Sequence, residues 1–174
     1  IQPLADVTLI AKRYGHVVHT DAAQAAGRLA IDFATLGVDA LTLSAHKIGG
    51  PPGTGALIVG EKIPLQAAAT GGGQEMGRRS GTENVPGIVG FGVAAQLAAD
   101  DLREAQRFAA LRDDLQNRLQ AIGGDDAVVL GRNAPRVATA LCIAMRGVSA
   151  ETQVAALDLA GVAVSAGSSC SSGK

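Results

Sequence analysis

The chain has no tryptophan, one tyrosine and three phenylalanines, so aromatic residues make up 2% of its 174 positions. A protein this short of aromatic platforms is poorly equipped to stack on nucleic-acid bases. Charge of either sign is also not in excess. Lys and Arg total 15 against 16 Asp and Glu, a formal net charge of -1, which leaves no electrostatic footprint for a phosphate backbone. Cysteine is scarce: Cys142 and Cys170 are the only two, too few for a disulfide framework and in keeping with a reducing, cytoplasmic compartment. No apolar run approaches the ~20 residues needed to cross a bilayer. Ile1-Gln2-Pro3-Leu4 does not open a leader of basic then apolar residues. Neither a nucleic acid nor a membrane is expected as a partner. The absence of an initiating Met and the abrupt stop at Lys174 make both ends look cut from a longer protein.

What the chain does have is apolar content, 47% of residues, enough to bury a core as one domain or parts of two. Leu4, Val7, Leu9 and Ile10 before Gly15 predict a short helix over 4–14. Val17–Asp21 reads as a buried strand, Val38–Leu43 and Gly55–Val59 as apolar strands, and Ala22–Ala26 as a short helix-prone stretch. Residues 64–84 form a long polar loop, of the kind that is functional or disordered inside a compact domain. A long helix is expected from about Pro86 to Ile122, with Leu111, Leu115, Leu119 and Ile122 as its apolar stripe and Gly123-Gly124 as its stop. Strands over Ala127–Leu130, Thr139–Met145 and Val162–Ser165, and a helix over Ala150–Leu159 with Ser149 as its N-cap, complete an α+β second half. A domain boundary is expected between Asn84 and Gly92. Strands separated by helical connectors make the first half an α/β layer.

Three places carry chemistry. Lys47 ends Ser44-Ala45-His46-Lys47, directly after a predicted strand and before the turn Gly49-Gly50-Pro51-Pro52-Gly53. It is either a solvated turn lysine or an amine able to form a Schiff base, with Ser44 and His46 as phosphate donors. Asp21 ends another predicted strand, and in an open parallel sheet ligands gather at such ends. It is either a turn or cap carboxylate or the partner of a protonated pyridine nitrogen, whose charge it would favour. Gln24, within one helical turn of Asp21, is a surface glutamine or a donor to a phenolate oxygen. Cys142, between Leu141 and Ile143, reads as a small buried hydrophobe. Cys170 is different: Ser168-Ser169-Cys170-Ser171-Ser172-Gly173 gives the thiol no apolar neighbours, as suits an exposed nucleophile that carries a load, or a surface cysteine near a frayed end. Gly50-Pro51-Pro52-Gly53-Thr54-Gly55 lacks the Gly-Lys-Ser/Thr of an ATP-binding phosphate loop, because Ala56-Leu57 follow. His16, His19 and His46 have no metal-ligand spacing with either cysteine, and no metal is expected.

Taken together, these stretches resemble the cysteine desulfurases, the NifS-like branch of the class V aminotransferases. The resemblance rests on His19-Thr20-Asp21-Ala22-Ala23-Gln24, on Ser44-Ala45-His46-Lys47 with the Gly/Pro turn after it, and on Gly71-Gly72-Gly73-Gln74-Glu75. It rests further on Arg79-Ser80-Gly81-Thr82-Glu83-Asn84 and on the cysteine loop, and it runs over the whole chain in the family's order. It implies an α/β fold, with residues 1–88 as part of a PLP-transferase fold type I large domain with a mostly parallel sheet. Residues 89–174 would be a smaller α+β domain, truncated after the cysteine loop.

The resemblance also implies pyridoxal 5'-phosphate as cofactor and L-cysteine as substrate, converted to L-alanine with a persulfide left on the enzyme. Lys47 would hold the cofactor, Asp21 would pair with its ring nitrogen, and Gln24 would contact its phenolate oxygen. Ser44 and His46 would bind the phosphate. Thr82 would reach the phosphate of the partner subunit's cofactor in a homodimer, and Cys170 would attack the substrate sulfur. A sulfur-acceptor or scaffold protein would then take the persulfide into iron–sulfur cluster assembly or thiolation. Relatives carry a histidine stacked on the ring, an asparagine near its phenolate and an arginine for the substrate carboxylate, none with a counterpart in these residues. The 174 residues alone are therefore expected to be a poor catalyst. A selenocysteine lyase or another class V enzyme such as a transaminase is the nearest alternative. A non-catalytic remnant that only dimerises or binds a sulfur-trafficking partner is the alternative of a different class.

Overall fold

The computed structural model describes residues 1–167, so Cys170 and its loop lie outside the described residues. The described chain divides into two compact units that meet between Ala105 and Gln106.

The first unit opens with α1 (Leu4–Arg13), whose Asp6 and Lys12/Arg13 complement the helix dipole at its two ends. It closes through paired bonds from Gly15 N–H to the Lys12 carbonyl (3.1 Å) and from His16 N–H to the Ala11 carbonyl (3.0 Å), with Gly15 left-handed at φ 70°. This is the glycine-dependent helix stop that the sequence signalled. β1 (His19–Asp21) then pairs in parallel with β2 (Ala40–Ser44), His19 against Ala40 and Asp21 against Thr42. The stretch after Asp21 is a series of hydrogen-bonded turns, not the helix predicted for 22–26. Asp21 Oδ1 accepts from Ala23 N–H at 2.9 Å, and left-handed Gly27 (φ 70°) closes the stretch. Left-handed Gly27 interrupts the run before a helical ladder can extend through it. A one-turn helix, α2 (Phe33–Leu36), is capped by Asp32 Oδ1 and ended by Gly37 at φ 72°.

β3 (Gly55–Val59) returns antiparallel to β2, with Gly55 opposite Ser44, giving the order β1-β2-β3. The three described strands therefore have one parallel and one antiparallel pairing, as part of the mostly parallel sheet expected for the whole large domain. The antiparallel return of β3 follows from chain length: a parallel return needs a crossover of a dozen or more residues, and 45–54 is a tight turn. The core is Val18, Ala22, Val38 and Leu41, with Leu41 fully buried and Leu4, Ile31, Phe33 and Leu43 packed around it. α3 (Val85–Asp101) is capped by Asn84 Oδ1, which accepts from Gly87 N–H at 3.2 Å. Its buried Gly87, Ala94 and Ala98 let it lie close to the turn after β2. A Cβ on Gly90 would come within 2.7 Å of Pro51.

The long helix expected over 86–122 tightens into a 3-10 turn at Leu102–Glu104 before α4 (Ala105–Gly123) begins. Dihedrals at Asp101, Leu102 and Ala105 stay helical although the hydrogen-bond ladder changes. The division between the two compact units, at Ala105/Gln106, falls after α3. The buried small residues of α3 belong with the sheet unit.

In the second unit, β4 (Ala127–Val129) pairs antiparallel with β5 (Ile143–Met145), and α5 (Ala150–Leu159) follows behind Ser149, which accepts from Thr152 N–H at 3.2 Å. Arg112 donates to the Val137 carbonyl (3.0 Å) and Arg136 to the buried Gln116 Oε1 (2.8 Å), so two guanidinium groups fasten the loop before β5 to α4. Two expectations differ here. Residues 162–165 form no strand, because no described strand pairs with them and Val162 N–H instead closes α5 on the Leu157 carbonyl at 2.8 Å. Cys142 is exposed, not buried: it lies just outside β5, and the alternation of the strand gives it the outward side shared with Ala144.

Asp39 links the first unit's elements. Its carboxylate accepts from Lys12 Nζ (2.6 Å) on α1 and from Val18 N–H (2.8 Å), and its carbonyl accepts from Gly60 N–H (2.9 Å) beyond β3. The Lys12 hydrogen bond first, and the Val18 N–H second, hold the carboxyl below its ordinary range against a smaller opposing effect of burial. A lowered carboxylate stabilises the fold above its unfolded value, and that contribution is lost as pH falls through the folded value. Asp39→Asn should lower the melting temperature at neutral pH and flatten its further decline below about pH 4, read by thermal melts across pH. Gly55 gives a second expectation. A Cβ there would sit 2.8 Å from the Leu43 carbonyl oxygen, so Gly55→Ala should cost about 1–3 kcal/mol in denaturant unfolding by forcing β3 off β2.

Candidate active site

The parallel pairing of β1 and β2 brings two chain segments to one edge of the sheet. Asp21 is the last residue of β1 and is exposed. It stands opposite Thr42, on a strand about 4.8 Å away. One carboxylate oxygen is held by Ala23 N–H, which fixes the side chain beyond the strand end. Ala22 N–H continues the ladder onto the Thr42 carbonyl at 2.9 Å, so the two strands are still joined where the site begins.

On β2 the last residue is Ser44, and the 3-10 turn Ala45–Ile48 follows at once. Buried Ala45 anchors that turn: its N–H donates to the Thr54 carbonyl (3.0 Å), its carbonyl accepts from Gly50 N–H (2.9 Å), and left-handed Gly49 (φ 81°) ends the helix. Ser44 Oγ lies 2.9 Å from His46 Nδ1, so the hydroxyl and the imidazole form one hydrogen-bonded pair. Lys47 is half-buried in the same turn, and its amine has no ion-pair partner among the described residues. A carboxylate, a hydroxyl–imidazole pair and an unpaired primary amine are thus presented at adjacent strand ends, where open α/β sheets bind ligands.

The remaining candidate residues stand as follows. Gln24 is exposed, and its Oε1 accepts from Arg28 at 2.6 Å, which leaves the amide N–H₂ as the free donor. Thr82 is exposed in the loop before α3 and shares no hydrogen bond with Asp21, Ser44, His46 or Lys47. Cys170 lies outside the described residues. No group of three or more His, Cys, Asp or Glu among the described residues is placed to hold a metal ion, and none of their helices is long and apolar enough to cross a membrane.

Sequence reasoning passed over two residues of this edge. Arg28 holds Gln24 from the i+4 position, a spacing that was visible in the sequence. Thr54 Oγ1 is buried with no hydrogen-bond partner, beside Gly87. It sits inside the Gly/Pro turn, which offered a signal for a bend and none for a hydroxyl.

The donor set suits pyridoxal phosphate. A single amine serves an aldehyde, an exposed carboxylate serves a cationic ring nitrogen, and the hydrogen-bonded Ser44–His46 pair keeps a donor for a phosphate.

Comparison with known proteins agrees with this reading of the fold. The model of the "Aminotransferase class-V" family matches residues 1–173. A cysteine desulfurase of Bradyrhizobium diazoefficiens is 46% identical over 160 residues, covering 91% of this chain and 40% of that protein. A cysteine desulfurase of Rhodobacter capsulatus is 40% identical over 172 residues, covering 98% of this chain and 44% of its own length. The X-ray structure of a NifS-like protein from Rickettsia africae superposes with a TM-score of 0.88 at 34% identity, over 97% of this chain and 46% of that one. The chain thus spans less than half the length of each relative. By this match, by its α/β sheet unit and by the order of its motifs, the chain belongs to the class V aminotransferase family.

Proposed function

We propose that the protein carrying this chain is a pyridoxal-phosphate-dependent cysteine desulfurase that converts L-cysteine to L-alanine and leaves a persulfide on Cys170. The observation that carries the reading is the single sheet edge presenting Asp21, the Ser44–His46 pair and the Lys47 amine, which has no ion-pair partner among the described residues. The names of the relatives supply the sulfur chemistry.

Each residue has a distinct task. Lys47 holds the cofactor, Ser44 and His46 hold its phosphate, Asp21 pairs with its ring nitrogen and Gln24 donates to its phenolate oxygen. When bound, pyridoxal phosphate supplies an electron sink for charge that develops at the substrate Cα. With the substrate in place, the Lys47 amine would take the Cα proton as general base and would give it back before alanine leaves. Asp21 keeps the ring nitrogen protonated by favouring its charged form. The Cys170 thiolate attacks the substrate Sγ: its S–S bond forms as the substrate C–S bond breaks, and the carbon left behind takes a proton to give alanine. The serines and glycine around Cys170 suit a thiol that must reach both a substrate and an acceptor.

The protein works as a homodimer in which exposed Thr82 reaches the partner subunit's cofactor phosphate. It acts in the cytoplasm, where thiols stay reduced. A sulfur-acceptor or scaffold protein takes the persulfide onward to iron–sulfur cluster assembly or thiolation.

Two variants test this. In the protein carrying this chain, Lys47→Ala should abolish the visible cofactor band and lower alanine formation about 10²–10⁴-fold, the range of a positioned proton-transfer group. Cys170→Ser should keep the band, still respond to L-cysteine by a spectral shift, and form no persulfide by mass spectrometry. Persulfide formation that survives Cys170→Ser would overturn the assignment.

A further inference from the structure

The loop before Thr82 is closed and held more firmly than a polar linker requires. Ser80 N–H donates to the Ala69 carbonyl at 3.1 Å, which ties the two ends of residues 69–80 together. Within it, Glu75 (φ 51°), Met76 (φ 56°) and Gly77 (φ 78°) are all left-handed. Two consecutive non-glycine residues in that region are unusual, and such backbone persists only where its surroundings impose it. The turn delivers the Glu75 carboxylate to Arg79, with Oε1 3.4 Å from a guanidinium nitrogen. The other terminal nitrogen of Arg79 donates to the Gly81 carbonyl at 2.7 Å and to the Ser80 carbonyl at 3.3 Å. Gly81 is itself at φ 100° and immediately precedes Thr82.

We infer that Arg79, oriented by Glu75 from the left-handed turn, is a positioning residue for Thr82. By fastening the Gly81 carbonyl it sets the backbone from which the Thr82 hydroxyl is presented. The inference rests on the reading that Thr82 contacts a cofactor phosphate. The planar fork of arginine matters because it grips the carboxylate and the carbonyls from separate nitrogens at once, which a lysine cannot do. Arg79 acts on the cofactor only through Thr82, so its effect is confined to the phosphate.

That confinement gives the test. Apo-protein carrying this chain is titrated with pyridoxal 5'-phosphate and, separately, with pyridoxal, which lacks the phosphate, and binding is followed by absorbance. Arg79→Ala should weaken pyridoxal 5'-phosphate about tenfold, the scale of one charge-assisted hydrogen bond, and leave pyridoxal affinity unchanged. Arg79→Lys should fall between Ala and parent. Thr82→Ala should show the same phosphate-specific loss, and the double variant should lose no more than Thr82→Ala alone, because the two residues act in series. Equal losses for both ligands, or losses that add in the double variant, would overturn the inference. A phosphate-specific loss in Thr82→Ala with none in Arg79→Ala would defeat it while leaving the role of Thr82 standing. No loss in Thr82→Ala would defeat both. Should Arg79→Ala not fold, Arg79→Lys and Glu75→Gln carry the same comparison, with an expected loss in each for the phosphorylated ligand only.

Discussion

Parallel pairing between β1 and β2 is the constraint on which the site depends. Because His19–Asp21 and Ala40–Thr42 run the same way, the residues that follow each strand leave the sheet at the same edge. Asp21 and the turn Ala45–Ile48 meet there for that reason alone; an antiparallel register would send them to opposite ends. The pairing is fixed from below by Leu41, buried among Val18, Ala22 and Val38, and from the side by Asp39, which joins α1 to the start of β1. A slip of one residue would turn Leu41 to the other face of the sheet and expose it.

The second constraint is the turn after β2. Ala45 is buried and doubly hydrogen-bonded, Gly49 is left-handed, and α3 lies close over the turn through Gly87, Ala94 and Ala98. These small residues bring a helix near the backbone that carries Lys47 and leave the amine itself without an ion-pair partner among the described residues. A lysine positioned by packing and unpaired by charge is suited to hold a carbonyl group. A lysine whose amine was tied in a salt bridge would first have to give that bond up.

Much of this was legible in the sequence, for identifiable reasons. Gly15 marked the end of α1, Ser149 the start of α5, and the β-branched run ending in Asp21 a strand with a carboxylate at its tip, because each signal is local. The antiparallel return of β3, the turns after Asp21, the missing strand at 162–165 and the exposure of Cys142 were not legible. Each of these depends on what the segment pairs with, and pairing is a property of distant residues. The site divides in the same way. Lys47, Ser44 and His46 stood out in the sequence as candidates only, whereas the hold of Arg28 on Gln24, the buried Thr54 hydroxyl and the grip of Arg79 on the Gly81 carbonyl emerged only from the folded chain.

The central claim is that one amine at this sheet edge holds the cofactor. The chain contains four lysines, Lys12, Lys47, Lys62 and Lys174. Borohydride reduction in the presence of pyridoxal 5'-phosphate, followed by peptide mass mapping, asks which of them is joined to it. The account predicts one phosphopyridoxyl group, on the peptide containing Lys47 and on no other. A label on Lys12, Lys62 or Lys174 with Lys47 unmodified, or no label at all, would contradict it.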